Sequence, residues 1–247
     1  MSTWRQTWLL FRSDLRQESR RWELFVTASF FSFVLLVLFV LAFKSLRAPL
    51  HPRAVPGMLW LGLAFVGVLT LTRVFERERE HSTFEALLVA PVSRLAIYFS
   101  KLGVTMAVLG ACALVLVPGL SFTFEGASRL TEAPAATVAV VGLGALGYAA
   151  IGTLFAAGLA QHGGRNVLMT IILYPLSTPV LLLALVATQR HLEAHPDTWL
   201  TVRQMAALDL GLIAVAALLF ESVLVGVARP AGSSNSPARR ARAKVSP

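Results

Sequence analysis

Few residues in this chain are placed to do chemistry, and the most conspicuous are two carboxylates. Asp209 and Glu221 are the only acids inside long apolar stretches. An ionisable group in lipid is costly enough that a functional role is its first reading. Both lie near the ends of their stretch, where a carboxylate can also seat a helix at the headgroups. Neither is central enough to support a pump alone. His191-Leu-Glu-Ala-His195 sets two imidazoles four residues apart. On a helix they would share a face and could hold a metal ion, but Pro196 follows at once. His51 stands by itself. Cys112 is the single cysteine, so neither an intrachain disulfide nor a thiol-based metal site is expected. The G-x-x-x-x-G-K-S/T, H-E-x-x-H and G-x-S-x-G patterns do not occur. The expectation is no catalytic residue, no firmly bound cofactor and no metal.

The segment Arg73–Lys101 carries the densest signals. Mixed charge (Arg73, Glu76, Arg77, Glu78, Arg79, Glu80, His81) leads into Ser82-Thr-Phe-Glu85. This reads as a capping box, the Ser82 hydroxyl and the Glu85 carboxylate each taking a free backbone N–H. A short apolar helix over Phe84–Val89 follows, and Pro91 stops it. Ser93 can cap the next helix, which continues through Lys101. Phe84, Leu87 and Leu88 thus stand on an exposed turn and a half of helix. They either pack back on the rest of the molecule or dock into another protein.

The elements that must hold these groups are membrane helices. At 56% hydrophobic and 14% charged residues, the chain is too apolar for a soluble domain. Six apolar stretches are legible: Leu24–Phe43, Pro56–Thr72, Leu102–Phe122, Ala135–Ala160, Val167–Ala187 and Met205–Val227. About 20 apolar residues cross the hydrocarbon, and a helix satisfies its own backbone there. All 22 lysines and arginines lie outside these stretches, and 16 fall on the N-terminus, the second and fourth connections and the C-terminus. Short basic loops stay cytoplasmic. The expected fold is therefore all-α and integral to the membrane, with six transmembrane helices and both termini cytoplasmic. The inner segments carry seven carboxylates, a net +9 that suits anionic lipid rather than nucleic acid. The first apolar run is too long for the core of a cleavable signal peptide.

Three parts follow along the chain. Over residues 1–23, Trp4, Trp8, Phe11, Leu15 and Trp22 fall within an arc of about 60°, flanked by arginines, as on a helix lying in the membrane interface. Residues 24–227 form the six-helix domain, and 228–247 a basic, disordered tail. In the fourth stretch Ala145, Ala149, Thr153 and Ala157 recur every four residues among glycines, which lets backbones approach closely. Tyr174-Pro-Leu-Ser-Thr-Pro179 puts two prolines in the fifth, where a kink is expected.

Pro56-Gly-Met-Leu-Trp60, the run Arg73–Pro91 and Lys101 resemble the type-2 ABC exporter permeases. With Leu143-Gly-Ala-Leu-Gly-Tyr148, Gly152-Thr153 and Tyr174-Pro-Leu-Ser-Thr-Pro-Val-Leu-Leu-Leu183, the resemblance narrows to the haem exporter protein B (CcmB) family of cytochrome c maturation. It covers roughly Trp4–Val227. One departure is His81-Ser82, where the family usually has Asp-Gly. The resemblance implies a permease subunit in the bacterial inner membrane, working with a separate cytoplasmic ATPase that holds ATP and Mg. Haem-handling membrane proteins would be further partners, and a homodimer within the complex is expected. It makes Ser82, Phe84, Glu85, Leu87, Leu88 and Pro91 the ATPase-docking coupling helix, and residues 1–23 the elbow helix. Haem is the implied substrate, or else ATP hydrolysis frees a haem-loaded chaperone. The alternatives are a type-2 permease for a drug, lipid or glycan, and a non-transporting membrane scaffold.

Overall fold

Each apolar stretch is helical over its described residues, and most of the helices outrun their stretch. The computed structural model describes residues 3–21, 23–45, 53–80, 93–161 and 166–225. Among them are eight helices and no strand: α1 Thr3–Arg21, α2 Glu23–Ser45, α3 Ala54–Glu80, α4 Arg94–Thr123, α5 Arg129–Glu132, α6 Pro134–Gln161, α7 Asn166–Leu192 and α8 Thr198–Val225. Among the described residues, five helices are long and apolar enough to cross a membrane, over Glu23–Phe43, Ala54–Val74, Arg94–Thr123, Pro134–Gly158 and Thr198–Phe220. α7 covers the remaining stretch, Val167–Ala187. The protein is an all-α, multi-pass membrane protein.

The extensions have local causes. α4 starts eight residues before Leu102 because Ser93 caps it, its Oγ accepting the Ala96 N–H at 3.2 Å. α8 starts at Thr198, seven residues before Met205, across polar Thr201, Arg203 and Gln204 that an apolar window leaves out. α7 runs through Pro175 and Pro179 without a break. There the Ser177 and Thr178 hydroxyls both donate to the Tyr174 carbonyl, at 3.2 and 2.8 Å.

α6 is the hub, packing on α3, α4, α7 and α8. Its small residues permit this. A Cβ at Gly144 would collide with the Trp60 ring, and one at Gly147 with Asp209 Oδ1. Polar staples cross the same contacts: Trp60 Nε1–H donates to Thr188 Oγ1 at 2.9 Å, Tyr148 O–H to the Ala64 carbonyl at 2.9 Å, and Tyr98 O–H to the Ala150 carbonyl at 3.2 Å. In lipid such a bond replaces an unsatisfied group rather than a bond to water. These pairings run α3, α6 and α8 one way and α4 and α7 the other. One end of the bundle therefore carries α1, Arg73 and Lys101, and the opposite end carries Arg53, Arg129, His191 and Thr198.

Candidate functional site

At the first of these ends, α1 lies along the start of α4. Phe11 covers Gly103, where a Cβ would sit 2.8 Å from the ring. Trp8 stands beside Phe11, centroids 6.0 Å apart, and is 58% exposed. The aromatic stripe thus divides: Phe11 packs against the bundle, Leu15 is half-buried, and Trp8 faces out. Polar contacts lock the same interface. Gln6 Oε1 accepts the Ser93 backbone N–H at 3.1 Å. Asp14 Oδ2 accepts from both Ser100 Oγ and Lys101 Nζ, each at 2.9 Å. Lys101 is buried, so its ammonium needs a partner, and Asp14 supplies one. By contrast, the Arg73–Glu23 pair at 3.5 Å is half exposed and contributes little.

Ser93 immediately follows the segment in which docking residues are expected. Ser82, Phe84, Glu85, Leu87, Leu88 and Pro91 lie outside the described residues, as do Trp22 and His51. Trp4 is on α1 and Glu221 on α8, but their side chains also lie outside. Sequence reasoning missed Asp14 and Ser100. The available signal was Lys101, a cation about to enter lipid, together with Asp14 three residues past Phe11 on the same helical face.

Asp209 corrects an expectation. The span that holds it begins at Thr198, not Met205, so the carboxylate sits mid-helix rather than near an end. It is 3% exposed, with Oδ1 against Gly147 and Oδ2 buried without a hydrogen-bond partner. Thr153 Oγ1 is likewise buried and unpartnered.

The two histidines do not share a helical face. α7 ends at Leu192, and Ala194 turns the chain at φ 56°. His191 Nε2 is 2.9 Å from Thr137 Oγ1. Burial, and then the nearby Arg129 guanidinium, pull the His191 pKa below its ordinary value, against an opposing hydrogen bond to the Arg129 backbone. His195 lies beyond the turn, its Nδ1 accepting the Asp197 N–H at 3.2 Å.

Over residues 5–225 the chain matches the CcmB protein family model. The chain belongs to the CcmB family. The match takes in every helix described above, including α1, whose first two residues alone fall outside it. A CcmB protein is a permease component of the haem exporter of cytochrome c maturation, part of an ABC transporter system with an ATPase partner. A search of curated proteins gives no match.

Proposed function

We propose that this CcmB protein couples ATP hydrolysis on the cytoplasmic face of a bacterial inner membrane to haem export, or to release of a haem-loaded chaperone. It crosses the membrane six times with both termini inside. The end carrying α1, Arg73 and Lys101 faces the cytoplasm, since 16 of 22 basic residues lie on the segments at that end. α1 is the elbow helix, bedded among anionic headgroups. The short helix expected over Phe84–Val89 is the coupling helix, with Phe84, Leu87 and Leu88 anchoring it in the ATPase. The permease hydrolyses no ATP itself, because it has no phosphate-binding loop.

The observation that carries this reading is the Asp14–Ser100–Lys101 joint. A helix that only anchors the chain has no need of a buried ion pair to the next span. A helix that must move with α4 does. When the ATPase closes, the docked segment pulls on Ser93, and α4 and α1 follow as one body because Gln6, Phe11 and Asp14 fasten them. The test is hydrolysis and cytochrome c maturation measured with Asp14→Ala in the reconstituted complex. Uncoupling, with the ATPase still bound, is the expected result. Full maturation with the joint removed would reject the mechanism.

A further inference from the structure

One open strip runs along most of α4. At 3.6 residues per turn, Phe99, Gly103, Met106, Gly110 and Leu114 fall within an arc of about 80°. Two cavities follow one another on this strip. The smaller, about 130 Å³, is lined by Thr7, Trp8 and Phe11 of α1 with Phe99 and Gly103 of α4. The larger, about 580 Å³, lies between α4 and α6. Met106, Gly110, Leu114 and Pro118 line it on one side, and Val138 and Gly142 on the other.

Missing side chains shape the larger cavity into a groove. A Cβ at Gly110 or at Gly142 would meet nothing within 4 Å. Leu114 and Val138 stand open beside them, 78% and 71% exposed. From Met106 to Pro118 the groove follows about 18 Å of helix, and one leaflet of hydrocarbon is about 15 Å deep. Thr137 is the single polar side chain in the lining, and its hydroxyl is already engaged. Its Oγ1 lies 3.2 Å from the Ala133 carbonyl and 2.9 Å from His191 Nε2. A polar side chain of a partner protein would be buried here without a hydrogen bond, which is costly. Hydrocarbon has no such need.

Cationic charge marks the α1 end of the strip. Arg5 and Arg12 are exposed and lie within about 60° of Trp8 around α1. Among the described residues no carboxylate pairs with either. An apolar groove about one leaflet deep, with an indole and two guanidinium groups at its mouth, is complementary to an anionic amphiphile. Guanidinium suits phosphate, and tryptophan sits well at headgroup level.

We propose that this strip binds one anionic phospholipid, with its phosphate on Arg5 and Arg12, its glycerol beside Trp8 and one acyl chain along Met106, Gly110 and Leu114. The proposal rests on the reading of α1 as an interfacial elbow helix, and it replaces general bedding among headgroups with a discrete site. Binding is measured without the ATPase, so its failure leaves the coupling mechanism standing, and a failure of coupling leaves the lipid site standing.

The test uses the full-length permease in detergent, stripped of co-purified lipid. It is titrated with phosphatidylglycerol or with phosphatidylcholine of identical chains, and native mass spectrometry counts the molecules bound. Wild type takes up one phosphatidylglycerol about tenfold more tightly than phosphatidylcholine. Arg5→Gln combined with Arg12→Gln brings phosphatidylglycerol down to the affinity of phosphatidylcholine and leaves the latter unchanged. Gly110→Leu fills the groove where there is open space, and weakens both lipids about tenfold. Equal affinity of wild type for the two lipids overturns the proposal, as does wild-type binding of both by Gly110→Leu. A ladder of several phosphatidylglycerols with no tight first one marks lipid that only coats the bundle, and overturns it too. Should Gly110→Leu fail to elute as a folded species, Gly142→Leu on the opposite wall decides between the same two outcomes.

Discussion

Lys101 Nζ lies 2.9 Å from Asp14 Oδ2, and this contact joins the first helix of the chain to the helix that begins at Arg94, 80 residues beyond Asp14. The Lys101 side chain is 9% exposed and that of Asp14 23%. Removing one member takes this ion-pair partner from the other. Asp14→Ala should cost about 2 kcal/mol of stability, below the range for fully buried pairs because Asp14 keeps some solvent. Asp14→Ala combined with Lys101→Met should recover most of that loss. Thermal unfolding in detergent measures both. A double variant no more stable than Asp14→Ala would show that the ion pair is not what holds α1 in place.

The contact between α6 and α8 at Gly147 and Asp209 gives a second prediction. A methyl at Gly147 would collide with Asp209 Oδ1 and lie 2.9 Å from Val180. Gly147→Ala should destabilise by about 1–3 kcal/mol, the usual range for overpacking. In an Asp209→Ala background at least half of the cost should vanish. A double-mutant cycle reads the coupling directly, and strictly additive effects would contradict the close approach.

Asp209 itself should behave as a group kept for use rather than for stability. One of its oxygens is buried without a partner. Asp209→Asn should therefore leave the unfolding temperature unchanged or raised while cytochrome c maturation falls, the pattern expected when a costly intramembrane group serves function. Loss of stability with normal maturation would assign Asp209 a purely structural role.

His191 makes stability depend on pH. It lies past the Val167–Ala187 stretch, at the end of α7. Its folded pKa is below the ordinary 6.5, so at neutral pH both folded and unfolded forms are uncharged there. As pH falls below about 6.5 the unfolded chain takes up a proton first, and stability declines until the folded pKa is passed. His191→Gln can keep the bond to Thr137 and should flatten this part of the profile. An identical slope in wild type and variant, from unfolding temperatures between pH 7.5 and 5.5, would rule His191 out.

Much of this architecture was legible in the sequence. Lipid permits little besides helices, and apolar length marks them. The stretches fell short at their ends for a definite reason. Arg94 and Lys101 at the head of α4, and Thr201 and Arg203 in α8, are helical but polar, so hydropathy stops before the helix does. The close packing of α6 could be read from its glycines and alanines, and the Ser93 cap from its place after Pro91. Long-range pairings could not. Tyr98 meets Ala150, Trp60 meets Thr188, and Asp14 meets Lys101 only after the helices are arranged. Asp209 was misplaced because its span was started too late.

In the proposed coupling mechanism the segment following α3 docks the ATPase and drives α4 and α1. Co-purification of the ATPase partner with Phe84→Ala, read beside the amount of permease in the membrane, tests it most directly. Phe84 as an anchor should contribute about 2 kcal/mol, so its loss weakens association about thirtyfold. The expected result is normal permease abundance, loss of the co-purified ATPase and no cytochrome c maturation. Normal abundance with the ATPase fully retained and maturation intact would contradict it.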